Sequence, residues 1–421
     1  MLYASQKNIL PLHRPPDPSS FSSSKDDNNN NNIGGISYVQ QQAMLLRNWM
    51  RHKQSIICIT GAGMSTESGI PDYRGNNGSY FRGHKPIIHH EFMSSPTQRK
   101  RYWARSLVGY SPFANAQPNL GHEALAKLEA RGYIGVKLED CSDFEHLGAS
   151  CMGQWDGGGG GGAHGVTLES LAGARKISII TQNVDTLHSK AGVKHCLHLH
   201  GRGDLVRCMS CGLSRDRKEY HNELMEWNQD WLNEYAPGVN NDSASSSSTK
   251  EKRSDLRPDG DAELALRVSD YDELVLPSCP RCGETNDDDH SSQSPPQLPP
   301  FFKTDVVFFG DSVPKHRFGI SNAAIDAADG VLCIGTSLAV HSAFRLAKRA
   351  LERGTPLAIL NVGQTRVEKE GLDSEELLVT KLESPIGDTL NELVEILSRE
   401  ENSDESSISA VPHPPLCSSS D

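Results

Sequence analysis

Residues 54–75 read QSIICITGAGMSTESGIPDYRG. The run opens with Ile56, Ile57, Cys58 and Ile59 between turn-forming residues, the pattern of a strand buried on both faces. Gly61, Ala62 and Gly63 follow, and where side chains are missing the backbone N–H groups can come close to a phosphate. A strand entering a glycine-rich turn is a common beginning for a nucleotide site. The dinucleotide fingerprint G-x-G-x-x-G, however, would need glycine where Thr66 stands. An isolated Gly-x-Gly is as often a plain tight turn, so the rest of the chain has to decide.

The chain has 421 residues, enough for one large domain or two ordinary ones. Hydrophobic residues make up 36% and the mean hydropathy is −0.51, because several polar tracts cannot join a core. A net charge of −12 gives no whole-chain electrostatic footprint for nucleic acid. No apolar run reaches the roughly 18 residues of a membrane span. Neither nucleic acid nor membrane is therefore an expected partner, and composition indicates no oligomeric state. Of the 10 cysteines, four form two C-x-x-C pairs, which points to metal in a reducing compartment and away from a disulfide framework.

Outward from residues 54–75, strand candidates recur at 177–180, 305–309, 330–334 and 357–360. Helical spacing marks 39–52, 119–131, 320–328, 343–353 and 390–397. Strand, small polar turn and helix in repetition mean an α/β fold with a doubly wound parallel sheet. Three of the turns, Gly61–Gly63, Gly335-Thr336-Ser337 and Asn361-Val362-Gly363, would meet at the carboxyl edge of that sheet, where a dinucleotide lies. Thr181, Gln182, Asn183, Val184 and Asp185 form a further polar strand tip. Residues 139–165 carry an unbroken glycine run at 157–162, which costs too much backbone entropy to order, and read as a surface insertion.

Two constellations carry chemistry. Cys208-x-x-Cys211 and Cys279-x-x-Cys282 each place two thiolates on one knuckle closed by a glycine, the ligand set of one tetrahedral, structural zinc. His200 lies between the Gln182–Asp185 tip and these pairs and is followed by Gly201. It is the candidate base, in competition with His188, His195 and His198.

Taken together these residues resemble the sirtuins, NAD-dependent protein deacylases. The motifs are GAGMS at 61–65, GIPDYR at 69–74, TQNVDTLH at 181–188, LHG at 199–201, both cysteine pairs, FGD at 309–311, GTS at 335–337 and NVG at 361–363. They stand in the family's order and cover about residues 40–397 apart from the insertions. The wording TESGIPDYR, QNVDTLHSKAG and VVFFGDSVP is most similar to the class II branch, which includes a mitochondrial member.

The resemblance implies a Rossmann-type domain at 36–200 and 304–398. A small helical insertion at 81–118 and a zinc-binding module at 201–303 would interrupt it. Residues 1–35 and 399–421 would be tails, the first disordered or targeting: it is rich in serine and poor in acids but has no amphipathic face. The co-substrate NAD would contact Gly61, Ala62, Gly63, Ser65, Thr66, Pro71, Asp72, Tyr73 and Arg74. Gln182, Asn183, Val184, Asp185, Gly335, Thr336, Ser337, Asn361, Val362, Gly363 and Ile386 would complete its site. An acyl-lysine protein substrate would add as a strand near Phe309–Asp311.

By the same resemblance nicotinamide leaves the ribose as the acyl oxygen attacks, and His200 then takes a proton from a ribose hydroxyl. Asn183 orients ribose and water, and Asp185 holds the nicotinamide amide. The products would be nicotinamide, 2′-O-acyl-ADP-ribose and free lysine. Mono-ADP-ribosyl transfer and lipoamidase activity are alternatives on this fold. The implied compartment is the mitochondrial matrix, with cytoplasm or nucleus as alternatives.

The sequence departs from the family in its long inserts at 139–165, 212–278 and 284–303, and in having Gly310-Asp311 where Gly-Glu is commoner. No Tyr-x-x-Arg pair for acidic acyl groups is evident, since Tyr80 is followed by Phe81 and Arg82. A dehydrogenase would explain the sheet but leaves the cysteine pairs without a role. A zinc-ribbon binder of nucleic acid is opposed by the acidic balance.

Overall fold

The strand entering the glycine turn is buried along its whole length, and its neighbours explain why. The computed structural model describes residues 36–75, 78–80, 86–138, 176–237, 256–262, 264, 266–283, 300–373 and 378–409. The chain divides into two units, Met1–Tyr38 and Val39–Asp421; only residues 36–38 of the first are described. The glycine run at 157–162, the serine and proline tracts at 243–248 and 291–299, and most of the expected tails lie outside the described residues.

Among the described residues the strands are, in chain order, β1 (Ile56–Thr60), β2 (Val136–Lys137), β3 (Lys176–Ile177), β4 (Ile179–Thr181), β5 (Cys196–His198) and β6 (Gly201–Cys208). They continue with β7 (Ser214–Asp216), β8 (Phe302–Val306), β9 (Gly330–Ile334), β10 (Leu357–Leu360) and β11 (Val379–Leu382). Six form one parallel sheet in the order β11-β10-β9-β1-β4-β5.

Within it, Ile59 stands between Cys333 and Ile180. Ile57 and Ile59 face one core with Val331 and Ile359; Ile56 and Cys58 face the other with Leu332 and Leu360. A strand covered on both faces has no polar side to show, hence the unbroken apolar run. The helices Lys315–Asp326 and His341–Glu352 close the first core through Ile320, Phe344 and Leu346. Tyr38–Met50, Leu120–Ala130 and Ile386–Ser409 close the second through Leu46, Leu125 and Leu390. This last helix continues through residues 399–409, where the sequence suggested a tail. Arg47 pairs with Glu400 at 2.6 Å, and the Tyr133 hydroxyl donates to Glu401 at 2.7 Å, tying the extra turns to the body.

One strand lies elsewhere than its pattern implied. Residues 305–309 do not enter the parallel sheet: the strand is β8, Phe302–Val306, which pairs antiparallel with β6, as does β7. Its phenylalanines serve a different interior. Phe302 and Phe308 pack with Phe92, Tyr102, Trp103 and Tyr220 in a core that also contains Cys208 and Cys279. The small helical segment (His89–Ser94 and Pro96–Ala114) and the cysteine module thus share one hydrophobic centre.

Residues 256–262, which lie between the cysteine pairs, turn back onto this segment. Leu256 and Ala262 bridge antiparallel, Ala262 N donates to Arg105 O at 3.0 Å, and Arg105 meets Asp261 at 3.1 Å with both side chains buried. Burial, and then the neighbouring Asp259, push the Asp261 carboxyl up to about 7 against the pull of Arg105. Removing one member of a buried pair leaves an uncompensated charge, so Arg105→Ala should cost about 3–5 kcal/mol of stability. A carboxyl whose folded pKa is raised is penalised as pH rises, so this loss should be larger at pH 8 than at pH 5.5. Urea unfolding at the two pH values measures it; an equal midpoint shift at both would show that Asp261 is not the group left unpaired.

Candidate active site

The site is built where β1 and β9 end. Gly61 N donates to Ile334 O at 3.1 Å and Gly63 N to Gly335 O at 2.9 Å, so the two turns lie against each other. A Cβ on Gly63 would come within 2.9 Å of the Gly335 carbonyl oxygen, and Gly335 itself has φ +58. Both positions require glycine for close approach, and Gly335 also for its conformation. The chain then coils through a short 3-10 helix, Ala62–Ser68, and leaves it at Gly69 with φ 82.

Inside this coil, Ser65 is the hub. Its Oγ donates to Asp185 Oδ2 at 2.6 Å and accepts from Asn183 Nδ2 at 3.1 Å. Asn183 Nδ2 also lies 3.0 Å from Gly61 O, and Leu187 N donates to Asp185 Oδ1 at 3.0 Å. Burial raises the Asp185 carboxyl, with Ser65 and the Leu187 amide opposing it. Gln182 Nε2 reaches Thr336 Oγ1 at 2.9 Å, joining the tip of β4 to that of β9. Thus Gly61, Ala62, Gly63, Ser65, Gln182, Asn183, Asp185, Gly335 and Thr336 come together as expected from sequence.

Several expected residues stand apart from this hub. Val184 packs its side chain with Ile70, Phe113 and Leu187, and its carbonyl accepts from Gly203 N at 2.8 Å. Asn361, Val362 and Gly363 form an exposed tip beyond β10, where Asn361 Nδ2 donates to the carbonyls of its own loop. Thr66 Oγ1 donates to Gly63 O at 3.0 Å, and Ser337 O accepts from Arg366 N at 2.9 Å. Ile386 lies over Gly335, its Cδ1 3.0 Å from where a Cβ there would be. After Pro71, Asp72 Oδ1 accepts from Gly75 N at 2.9 Å. Tyr73 packs against Tyr80 and Phe309 with ring centroids 5.6 and 6.3 Å away, and the Arg74 guanidinium sits over Tyr80 at 5.1 Å. Phe309 bridges to Ile88 and accepts from His89 N at 2.9 Å, so one edge of this segment is taken.

His200 ends the turn after β5. Its Nδ1 is 3.2 Å from Gln182 O and its Nε2 is 2.7 Å from Ser342 Oγ. Burial lowers its pKa to about 4. Of the competing histidines, His188 lies behind the sheet tips, its Nε2 2.9 Å from Thr60 Oγ1 and its ring 4.9 Å from that of His122. His195 instead precedes β5 at the opposite edge, where its N donates to Glu129 at 2.9 Å and its carbonyl accepts from Ser178 N at 2.8 Å. Burial likewise lowers His122 and His198 to about 4 and His188 well below its ordinary value.

β6 runs from Gly201, beside His200, to Cys208. There the four cysteine sulfurs gather, all within 4.8 Å of one another, with Cys208–Cys282 at 3.8 Å and Cys211–Cys279 at 3.5 Å. A tetrahedron of about 2.3 Å Zn–S bonds has edges of about 3.8 Å, so these four thiols fit one zinc ion.

Sequence reasoning passed over three features. Asn119 caps the helix Leu120–Ala130, accepting from Gly121 N and His122 N, and its Nδ2 donates to Met64 O at 2.9 Å, holding the 3-10 coil from behind. An Asn directly before an apolar helical run was the available signal. Tyr102 and Arg105 do have Tyr-x-x-Arg spacing, one helical turn apart. Both are engaged within the protein, Tyr102 with Thr304 Oγ1 at 2.6 Å and Arg105 with Asp261. Arg105 also lines a cavity of about 220 Å³ with Pro86, Ile87, Ile88, Glu91, Gln98 and Arg101. Ser342, against His200, has no local motif.

A model of the Sir2 family matches residues 61–138 and 163–342. The chain is similar to "NAD-dependent protein deacetylase 2" of Bradyrhizobium diazoefficiens, 34% identical over 338 residues, 80% of this chain and 92% of that protein. It is also similar to "NAD-dependent protein deacylase Sirt4" of Drosophila melanogaster, 31% identical over 357 residues, 84% of this chain and 87% of that one. Among solved structures, a Sir2 mutant with a deacetylated p53 peptide and 3′-O-acetyl ADP-ribose aligns with a TM-score of 0.52 at 21% identity. It covers 84% of this chain and 97% of that one, a likeness of fold.

Two outcomes follow from the geometry. Purified protein should carry one zinc ion, and Cys279→Ser should lose it and melt at lower temperature. Metal-free protein with an unchanged melting curve would overturn the zinc assignment. His122, His188, His198 and His200 are held neutral in the fold, so each contributes stability that is complete above about pH 6.5 and declines as pH falls toward their lowered pKa values. The raised carboxyls of Asp185 and Asp261 act in the opposite sense, two groups against four. The melting temperature should therefore fall between pH 6.5 and 4.5; a flat profile would mean that these imidazoles are charged in the native state.

Proposed function

The chain belongs to the Sir2 family, and from that membership we propose that it is an NAD-dependent protein lysine deacylase. It transfers the acyl group of an acyl-lysine to ADP-ribose and releases nicotinamide. The observation that carries the reading is the convergence of a neutral imidazole, His200, with the Ser65–Asn183–Asp185 network at the mouth of a glycine-lined turn.

Each residue has a task. Asn183 and Asp185 are locked through Ser65, so their amide and carboxylate are presented without reorganisation. Asp185 suits an amide N–H donor such as that of nicotinamide. His200, neutral over the physiological range, keeps a lone pair on Nε2, met by the Ser342 hydroxyl, to receive the proton of a ribose hydroxyl. Binding of a negatively charged nucleotide raises its basicity toward what that step needs. Tyr73, flanked by Tyr80 and Phe309, closes an apolar wall beside the reacting centre and excludes water. The zinc is structural: with four thiolates as ligands no position is left for a substrate.

The mitochondrial matrix is the compartment we propose. It is supported by the acid-poor, serine-rich composition of residues 1–25 and by the resemblance of the motifs to the class II branch; cytoplasm and nucleus are the alternatives.

The test is a panel of acyl-lysine peptides, acetyl, long-chain, lipoyl and acidic, incubated with NAD and scored for both nicotinamide and deacylated peptide. Deacylation of at least one peptide with equimolar nicotinamide is expected. His200→Ala should lower peptide cleavage by about 10²–10⁴-fold, the usual worth of a general base. Full activity in that variant would remove His200 from the mechanism, and nicotinamide release with ADP-ribose attached to protein would favour the ribosyltransferase reading.

A further inference from the structure

The imidazole of His200 is held at both nitrogens, and the two contacts together decide its tautomer. A backbone carbonyl can only accept, so the proton must sit on Nδ1, which donates to Gln182 O at 3.2 Å. Nε2 then bears the lone pair, and the hydroxyl of Ser342, 2.7 Å away, donates to it. The ring is thus aimed from two separate elements, the tip of β4 and the start of the helix His341–Glu352.

Ser342 is rigidly mounted. The next two residues, Ala343 and Phe344, are buried in the core beneath the sheet, and their N–H groups both donate to Val340 O, at 3.2 and 3.0 Å. Its hydroxyl therefore meets His200 from a fixed direction, as a supporting group must if it is to orient another. The charged group that bears on His200 is Arg317, from the helix Lys315–Asp326. It is itself paired with Asp305 at 2.6 Å, so no carboxylate stands in for Ser342 at the ring.

We propose that Ser342 relays the proton in the reaction: its hydroxyl holds the His200 tautomer with the lone pair on Nε2, and its Oγ is the atom that the ribose hydroxyl meets. This rests on the reading of His200 as the general base. Nε2 has one lone pair, which the Ser342 hydroxyl already occupies, so the ribose hydroxyl donates to Ser342 Oγ in the productive complex. As the ribose proton passes to Ser342 Oγ, the Ser342 proton passes to Nε2, and the positive charge formed on the ring is shared with Gln182 O through Nδ1. Losing Ser342 frees the ring to rotate, and it also removes a donor that favours the neutral form.

The experiment compares full-length wild type, Ser342→Ala and Ser342→Thr. Deacylation of an acyl-lysine peptide is followed against pH, and the His200 ring nitrogens are followed by ¹⁵N NMR. In the alanine variant kcat should fall about three- to tenfold, the worth of one neutral hydrogen bond, with KM for NAD within about twofold of wild type. The acid limb of kcat/KM and the His200 titration should both move to higher pH, and the threonine variant, which keeps the hydroxyl, should restore both. An alanine variant that titrates and turns over like wild type overturns the proposal, as does a threonine variant as impaired as alanine, which would indicate packing alone. If wild type itself cleaves no acyl-lysine, the deacylase reading fails, while the NMR titration still tests the Ser342–His200 contact by itself.

Discussion

The N–H of Gly63 donates to the carbonyl of Gly335 across 2.9 Å, and most of the site depends on that contact. It exists because neither residue has a Cβ: two strand tips that ordinary side chains would hold apart lie backbone to backbone. The 3-10 coil is thereby pressed against the end of β9, and Ser65 is delivered to Asn183 and Asp185 from the tip of β4. Gln182 completes the loop by reaching Thr336. Three strand ends that are distant in sequence become one polar surface with almost no freedom left in it, which is what preorganisation requires.

The second constraint is the continuity of β6. One end follows directly on His200 and the other is Cys208, a ligand in the tetrahedral sulfur cluster. β8, which pairs along the same strand, continues to Phe309. A zinc ion there would anchor, through two adjacent strands, both His200 and Phe309. The shared aromatic core of the helical segment and the cysteine module gives this anchor a hydrophobic footing. The hairpin at 256–262 adds an ionic one, through Arg105 and Asp261.

Electrostatically the site is built by burial. Neutral histidines cluster behind the sheet tips, and His122 Nε2, His188 Nδ1 and His198 Nδ1 find no hydrogen-bond partner among the described residues. A charged ring there would be left without compensation, which is why their pKa values fall. The same low-dielectric surroundings keep His200 unprotonated and raise Asp185. His200 and Asp185 are thus tuned by one physical cause, burial.

The parts legible in sequence were those whose physics is local. β1, β9 and β10 show as unbroken apolar runs because each is covered on both faces. The glycine turn, the polar strand tips and the cysteine knuckles show because each needs specific residue types within a few positions. β5 and β11 did not show, since CLH and VTKL are short edge strands with no clear pattern of their own. DVVFF showed as a strand but in the wrong sheet, because an apolar run does not say which core it fills.

Contacts between residues far apart in the chain were hidden for the same reason. Ser342 meets His200 from 142 residues away, and Asp261 meets Arg105 from 156. By itself the sequence determined which residues could do this chemistry: glycine where backbone must be bare, thiols in pairs, an imidazole before a glycine. Only the tertiary structure decided which nitrogen of His200 carries the proton and what meets the other, because a tautomer is chosen by neighbours in space and leaves no spacing in the chain.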